Sequence, residues 1–327
     1  MAASKHTLPF VTVDAFTTRP FSGNPASVLV FPLGDDKLQQ LARDDTLMQQ
    51  VAAEFNLSET AYCRELEGGT EDEPRYELRW RTPVAEVPLC GHATLASAYA
   101  LFSQHHPSAS TIRFDTRQSG TLFARRTRPS SSSSSSTSAS SSSDDVGLIS
   151  LDFPMASILA LSDGHRRLPK IIAAIEAATG LSPDKVVRCA WYDAWEAPLV
   201  ELSSDVDLEA LEVKAQALSA AGKLVILTQP APDGAAGAAD IHSRVFGAPL
   251  GIDEDPVTGA AHTALAPFWL ASGPEALSRV PGASEGTLRA RQVSRRGGEM
   301  VVVLDEEKKR VELRGSAVRV MRGEIEL

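Results

Sequence analysis

Two stretches of the chain open in the same way and lie about half a chain apart. Gly91-His92-Ala93-Thr94-Leu95-Ala96 and Gly259-Ala260-Ala261-His262-Thr263-Ala264-Leu265-Ala266 carry Gly, His, Thr, Leu and Ala in the same order, with a slip of two residues. An acidic residue stands shortly before each glycine, Glu86 in the first and Asp255 in the second. Both stretches run on as apolar, Ala-rich sequence that reads as helix. A duplication at the half-chain offset constrains the fold to two units of similar plan, each containing one such helix.

The length of 327 residues fits about two domains. A hydrophobic fraction of 43% and a charged fraction of 23% are ordinary for a soluble globular chain. The net charge of −10 argues against a nucleic-acid footprint, which needs a basic patch or stripe. It leaves room for a small anionic ligand, since a few local donors suffice to bind one. Cys63, Cys90 and Cys189 form no CxxC pair and no disulfide framework. No apolar run is long enough to cross a membrane, and the start "MAASKHTLPF" has no signal-peptide core. The expected location is the cytoplasm.

Along the first half, "LPFVTVDAF" and "ASVLVF" read as strands around the turn "TTRPFSGNP". The spacing of Leu38, Leu41, Leu47, Val51 and Phe55 predicts one helix that ends at Asn56. "LSETAYC" and "YELRWRT" read as strands, and "STIRFDT" with "GTLFARRT" as a hairpin. Residues 129–145, almost all Ser, have nothing to bury and are expected to be disordered. In the second half "LPKIIAAIEAATG" reads as a helix stopped by Gly180. "DVDLEALEVKAQALSAAG" reads as another, capped by Asp205 or Asp207 and stopped by Gly222. Four closing strands follow Gly259. The fold class is α+β, with a first domain over residues 1–128 completed by 315–327, the insertion at 129–145, and a second domain over 146–314.

Helix ends supply the chemistry. The first turn of a helix presents unpaired N–H groups and a partial positive charge. A glycine there lets a ligand approach the backbone, so a carboxylate can bind without Lys or Arg. Gly91 and Gly259 are therefore candidate binding positions, with Thr94 beside the first. Thr258, Gly259 and Ala260 together offer three successive N–H donors.

The motifs "VDAFTTRPFSGNPASVLV", "NLSETAY", "RTPVAEVPLCGHATLASAYAL" and "GIDEDPVTGAAHTALAPFW" resemble those of the PhzF-like family, named for a phenazine-biosynthesis isomerase. The resemblance runs over nearly the whole chain except the Ser tract. It implies the diaminopimelate-epimerase fold: two pseudo-symmetric domains, each a sheet or barrel wrapped around a central helix, with the site in the cleft between them. It also implies a Glu that, in the family's isomerase, moves a proton on an unsaturated cyclic amino acid with no metal and no cofactor. Carried onto this chain, that Glu is Glu59, with His92 and Asp255 lining the cleft and Asn24 binding substrate. The family often has Ser where Ala260 stands, which puts the phenazine-precursor reaction itself in doubt.

Cys90 matches the first of the two thiols by which epimerases of this fold exchange a proton. Asp255 stands near the position of the second. Cys90 is the candidate reactive thiol, but one thiol without its mate cannot run a two-base scheme, and an inert buried Cys is expected. The resulting expectation is a cofactor-independent isomerase acting on a small carboxylate-bearing metabolite, with a second copy of the chain as partner and no nucleic acid or membrane. The alternative is a metabolite-binding or scaffold member of the same fold that has lost the reaction. The residues leave open which metabolite, and whether the proton moves between carbons or between faces of one carbon.

Overall fold

The structure is a computed structural model that describes residues 7–127, 146–232, 239–283 and 286–326. The Ser-rich insertion at 129–145 lies outside the described residues. The chain divides into two compact units, residues 1–152 with 314–327, and residues 153–313.

The first unit contains β1 (Thr7–Ala15), β2 (Asn24–Phe31), α1 (Asp36–Leu41), α2 (Asp45–Phe55), β3 (Glu59–Glu65), β4 (Arg75–Arg81), β5 (Glu86–Val87), α3 (Gly91–Ala100), β6 (Thr111–Asp115), β7 (Thr121–Thr127) and most of β8 (Leu148–Pro154). The chain's last strand, Ala317–Glu326, returns to pair antiparallel with β1. From that strand inward the pairings run antiparallel to β1, antiparallel to β2, parallel to β3, antiparallel to β4, parallel to β6 and antiparallel to β7. The short β5 folds back on β4.

The second unit contains β9 (Ile158–Leu161), α4 (Leu168–Thr179), β10 (Val186–Tyr192), β11 (Ala197–Leu202), α5 (Ala215–Leu218), β12 (Val225–Pro230), β13 (Ile241–Gly247), β14 (Ile252–Asp255), α6 (Gly259–Leu270), α7 (Pro274–Ser278), β15 (Thr287–Gln292), β16 (Gly298–Asp305) and most of β17 (Arg310–Gly315). Its pairings from β9 through β10, β11, β12, β13, β15 and β16 follow the same order: antiparallel, antiparallel, parallel, antiparallel, parallel, antiparallel. The short β14 folds back on β13, as β5 does on β4. The repeat seen in sequence is thus a repeat of strand order, with α3 and α6 in matching places.

Both helices are enclosed because they are apolar all round. Every residue of α3 is buried, and ten of the residues of α6 are. Ser and Thr inside them do not breach the apolar surface, because their hydroxyls bond back to the helix. Ser97 donates to Ala93 O at 2.7 Å, and Thr263 to Ala260 O at 2.7 Å. On the other side of the first unit's sheet, α2 covers Leu8, Leu29, Phe31 and Tyr62 with Met48 and Val51.

Two expected helices are different. The segment before Asn56 is split into α1 and α2, because Asp44 turns its carboxylate onto the N–H groups of Thr46 and Leu47 and starts a new helix. The segment from Asp205 to Gly222 is mostly turns, with only Ala215–Leu218 helical. Asp207 accepts from Ala210 N, the local competition that draws Asp out of helices. Val206 and Leu208 reach the core from this irregular chain.

Candidate active site

In the first unit the site is built where β3 starts beside the first turn of α3. Glu59 opens β3, and its carboxylate Oε2 lies 3.2 Å from His92 Nε2. The His92 ring is 4% exposed, and its other nitrogen, Nδ1, lies 3.5 Å from Cys90 Sγ. Ser58 Oγ is 3.3 Å from His92 Nε2 and donates to Asn24 Oδ1, also at 3.3 Å. Asn24, at the start of β2, is fully buried. The structure therefore brings together four of the residues expected for the site: Asn24, Glu59, Cys90 and His92. Ser58 is an addition. It stands in the same "NLSETAY" motif but was not singled out, since a Ser before a strand has no distinctive pattern.

The hydrogen-bond directions fix the state of the ring. Ser58 gives its proton to Asn24 Oδ1, so its oxygen is left to accept from His92 Nε2–H. A neutral ring protonated on Nε2 has its lone pair on Nδ1, facing the Cys90 thiol. Burial pushes the His92 pKa down to about 3. The nearby Glu59 carboxylate favours the charged ring, but desolvation is the dominant cause. With the ring neutral, the Glu59–His92 contact is a close approach rather than an ion pair. Burial also pushes the Cys63 and Cys189 thiols up to about 12, which leaves them inert.

Glu59, Cys90 and His92 each offer a ligand atom within 4.8 Å of the others, a sulfur, nitrogen and oxygen set of the kind that suits zinc. Cys90 Sγ lies by Nδ1 of the ring and Glu59 Oε2 by Nε2.

Cys90 and Thr258 occupy the cap positions of α3 and α6, and neither gives its helix a side-chain cap. A missing cap costs about 1 kcal/mol, and Thr258 could have supplied one. Instead its hydroxyl donates to Asp255 Oδ2. Gln292, fully buried, accepts from Thr258 N at 2.9 Å and donates to Asp255 O at 2.6 Å. This corrects the expected carboxylate seat: the Thr258 N–H is taken, and the donors left are those of Gly259 and Ala260. Thr94 is fully buried, and its hydroxyl donates to Cys90 O at 2.6 Å, which holds the first turn of α3.

The equivalence within the repeat also shifts. Both helices begin at the glycine, so His92 is the second residue of α3 and His262 the fourth of α6. His262 is buried, held to about 4 by desolvation, with Nδ1 2.8 Å from the Thr258 carbonyl. The counterpart of Glu86 is Glu254 rather than Asp255. Glu86 pairs with Arg79 and Arg81 on β4, as Glu254 pairs with Arg244 on β13. These ion pairs fasten each short strand to its neighbour just before the buried helix starts. Arg79 beside Glu86 holds that carboxyl below the usual range.

The model of the family described as phenazine biosynthesis-like protein matches residues 13–323. The chain is 37% identical to a mouse phenazine biosynthesis-like domain-containing protein, over 97% of this chain and 98% of that one. It is 35% identical to a Halalkalibacterium halodurans protein named an uncharacterized isomerase, over 98% of both. The crystal structure of an Enterococcus faecalis protein of the PhzF family is similar, with a TM-score of 0.74, 30% identity and coverage of 98% of this chain and 100% of that one. A hydroxyproline epimerase from Agrobacterium vitis, 10% identical with a TM-score of 0.52 over 98% of this chain and 93% of its own, shares the fold. With a match that spans both units and both buried helices, the chain belongs to the phenazine biosynthesis-like, or PhzF, family.

Proposed function

We propose that this protein is an isomerase that moves a proton on a small carboxylate-bearing metabolite, with Glu59 as the proton carrier and no cofactor. The observation that carries this reading is the Glu59 carboxylate 3.2 Å from a buried, neutral imidazole. A carboxylate held beside a neutral donor can take a proton from carbon and return it, which contributes about 10²–10⁴-fold when well placed. His92 orients Glu59 and stays uncharged. Asp255 stands ready for a substrate amine or proton, and the Gly259 and Ala260 N–H groups for the carboxylate. The isomerase name of a relative that covers nearly the whole chain supports the reaction class.

The test is incubation of the protein with a library of amino and hydroxy acids in D₂O. Exchange of one C–H proton, lost in Glu59→Gln, identifies substrate and reacting carbon together. Ligands that bind without any exchange would favour the metabolite-binding reading, which the Ala at position 260 motivates.

A further inference from the structure

The reading above gives Cys90 no work, yet its thiol stands two residues before His92 and lies against Nδ1 of that ring. We propose that Cys90, His92 and Glu59 form a binding site for a thiophilic divalent cation of the zinc class, and that an ion seated there shuts the isomerase off. The site follows from the donors themselves; the inhibition rests on Glu59 being the proton carrier.

The distances suit an ion. Zinc holds thiolate sulfur at about 2.3 Å and imidazole nitrogen at about 2.0–2.1 Å, in tetrahedral geometry. Those bond lengths put sulfur and nitrogen about 3.5 Å apart along one edge of the tetrahedron. Cys90 Sγ and His92 Nδ1 are already 3.5 Å apart. The sulfur, a ring nitrogen and a Glu59 carboxylate oxygen all lie within 4.8 Å of one another. The same geometry asks for about 3.5 Å between the oxygen and each neighbour, so Glu59 has on the order of an ångström to travel. A Glu side chain covers that by turning its own torsions. The fourth position is left to water or to a substrate oxygen.

The ring is prepared for a metal. With its Nε2–H directed at Ser58, its lone pair lies on Nδ1, on the side of the sulfur. Fixing the second nitrogen of a His in this way is what outer partners do around bound metals. Burial keeps protons from competing for Nδ1. The thiol proton leaves to solvent as the sulfur–metal bond forms. Burial opposes a bare thiolate here, but the two positive charges of the ion offset those of thiolate and carboxylate, so the filled site carries no net charge. Cys63 and Cys189, pushed up to about 12, have no such set of donors around them among the described residues. A Glu59 bound to the ion cannot take a proton from carbon.

The test is titration of the whole protein with Co²⁺, a spectroscopic stand-in for zinc, followed by displacement with Zn²⁺. Wild type should show a thiolate-to-cobalt charge-transfer band in the near ultraviolet, abolished by Zn²⁺ and absent from Cys90→Ala. Zinc affinity should fall by more than about 10²-fold in Cys90→Ala, beyond what loss of an outer partner costs, and by at least about tenfold in Glu59→Gln. Glu59→Gln serves as the readout should Cys90→Ala not fold. No band in wild type, a band that survives in Cys90→Ala, or a Glu59→Gln affinity equal to that of wild type overturns the site. C–H exchange then separates the site from the proposed function. Exchange that stops with one equivalent of Zn²⁺ and returns with a chelator supports the inhibition. Full exchange by the zinc-loaded protein overturns the inhibition and takes the proton role from Glu59, while the ion site stands. A cobalt band in a protein that exchanges no C–H proton removes the proposed function and the inhibition with it, and again leaves the ion site.

Discussion

At the start of α3 the three side chains grouped at the first turn, Cys90, His92 and Glu59, can all exchange protons. At the start of α6 the corresponding space holds a Thr, a Gln and a His tied to one another and to Asp255 through backbone and hydroxyl groups. The frames are the same: equal strand order, a short strand fastened by an Arg–Glu pair, then a buried helix beginning at glycine. What differs is the chemistry of the side chains set on each frame. Duplication supplied two uncapped helix starts, and the proposed division of labour gives one to protons and the other to holding a ligand.

The comparison can be broken most sharply at Glu59. Glu59→Gln is expected to lower the rate of C–H exchange by at least about 10²-fold, the general-base contribution, with ligand binding retained. Near-normal exchange would remove the proton role from the α3 side altogether.

Acid should act on both helix starts at once. His92 and His262 are held neutral, to about 3 and about 4, against an ordinary value of 6.5. The unfolded chain therefore binds protons that the fold refuses. Their stabilising effect is fully present above about pH 6.5 and is lost as pH falls toward 4, with a slope of up to about 1.4 kcal/mol per pH unit for each ring. Melting curves between pH 7 and 4.5 should show this slope, and His92→Gln should lower it by about one proton. An unchanged slope would mean that the buried ring is not what acid attacks.

Gln292→Leu probes the α6 side alone. It leaves the half-buried Thr258 N–H and Asp255 carbonyl without these partners, at a cost of about 1–3 kcal/mol. Thermal unfolding measures it, and a loss under half that range would show the lock to be dispensable.

The difference between the glycines is smaller. Gly259→Val should weaken binding of a small carboxylate by about 1 kcal/mol, the contribution of a helix end. Gly91→Ala should cost less, and calorimetry with the substrate found by exchange compares them. The reverse order would move the ligand seat to α3. Least of all, Ala260→Ser should change stability by no more than about 0.5 kcal/mol, and a larger shift in melting would mean that position 260 is packed rather than open.

The cluster at the start of α3 was legible in sequence because its residues fall in compact motifs: Glu59 in "SETAY", Cys90 and His92 in "LCGHAT". The polar lock at the start of α6 was less so. Gln292 lies in a late strand and meets Thr258 only through the parallel pairing that brings β15 beside β13. Nothing local marks it. The broken helix at Asp44 was hidden for a different reason. The apolar spacing runs through the break, and a single capping carboxylate outweighs it. Strand positions came through well, since turn residues and β-branched runs mark strands locally, whereas the route from Asp205 to Gly222 is set by where Val206 and Leu208 find a core.

The return of the last strand to β1 has a consequence for how the protein is made. A ribosome delivers β1 early and its partner only after the entire second unit has emerged. At about 5–20 residues per second, the gap is on the order of tens of seconds. During that interval one edge of β1 waits unpaired, while residues 153–313 form an uninterrupted piece that can finish first. The half of the molecule that carries Glu59 is begun first and completed last.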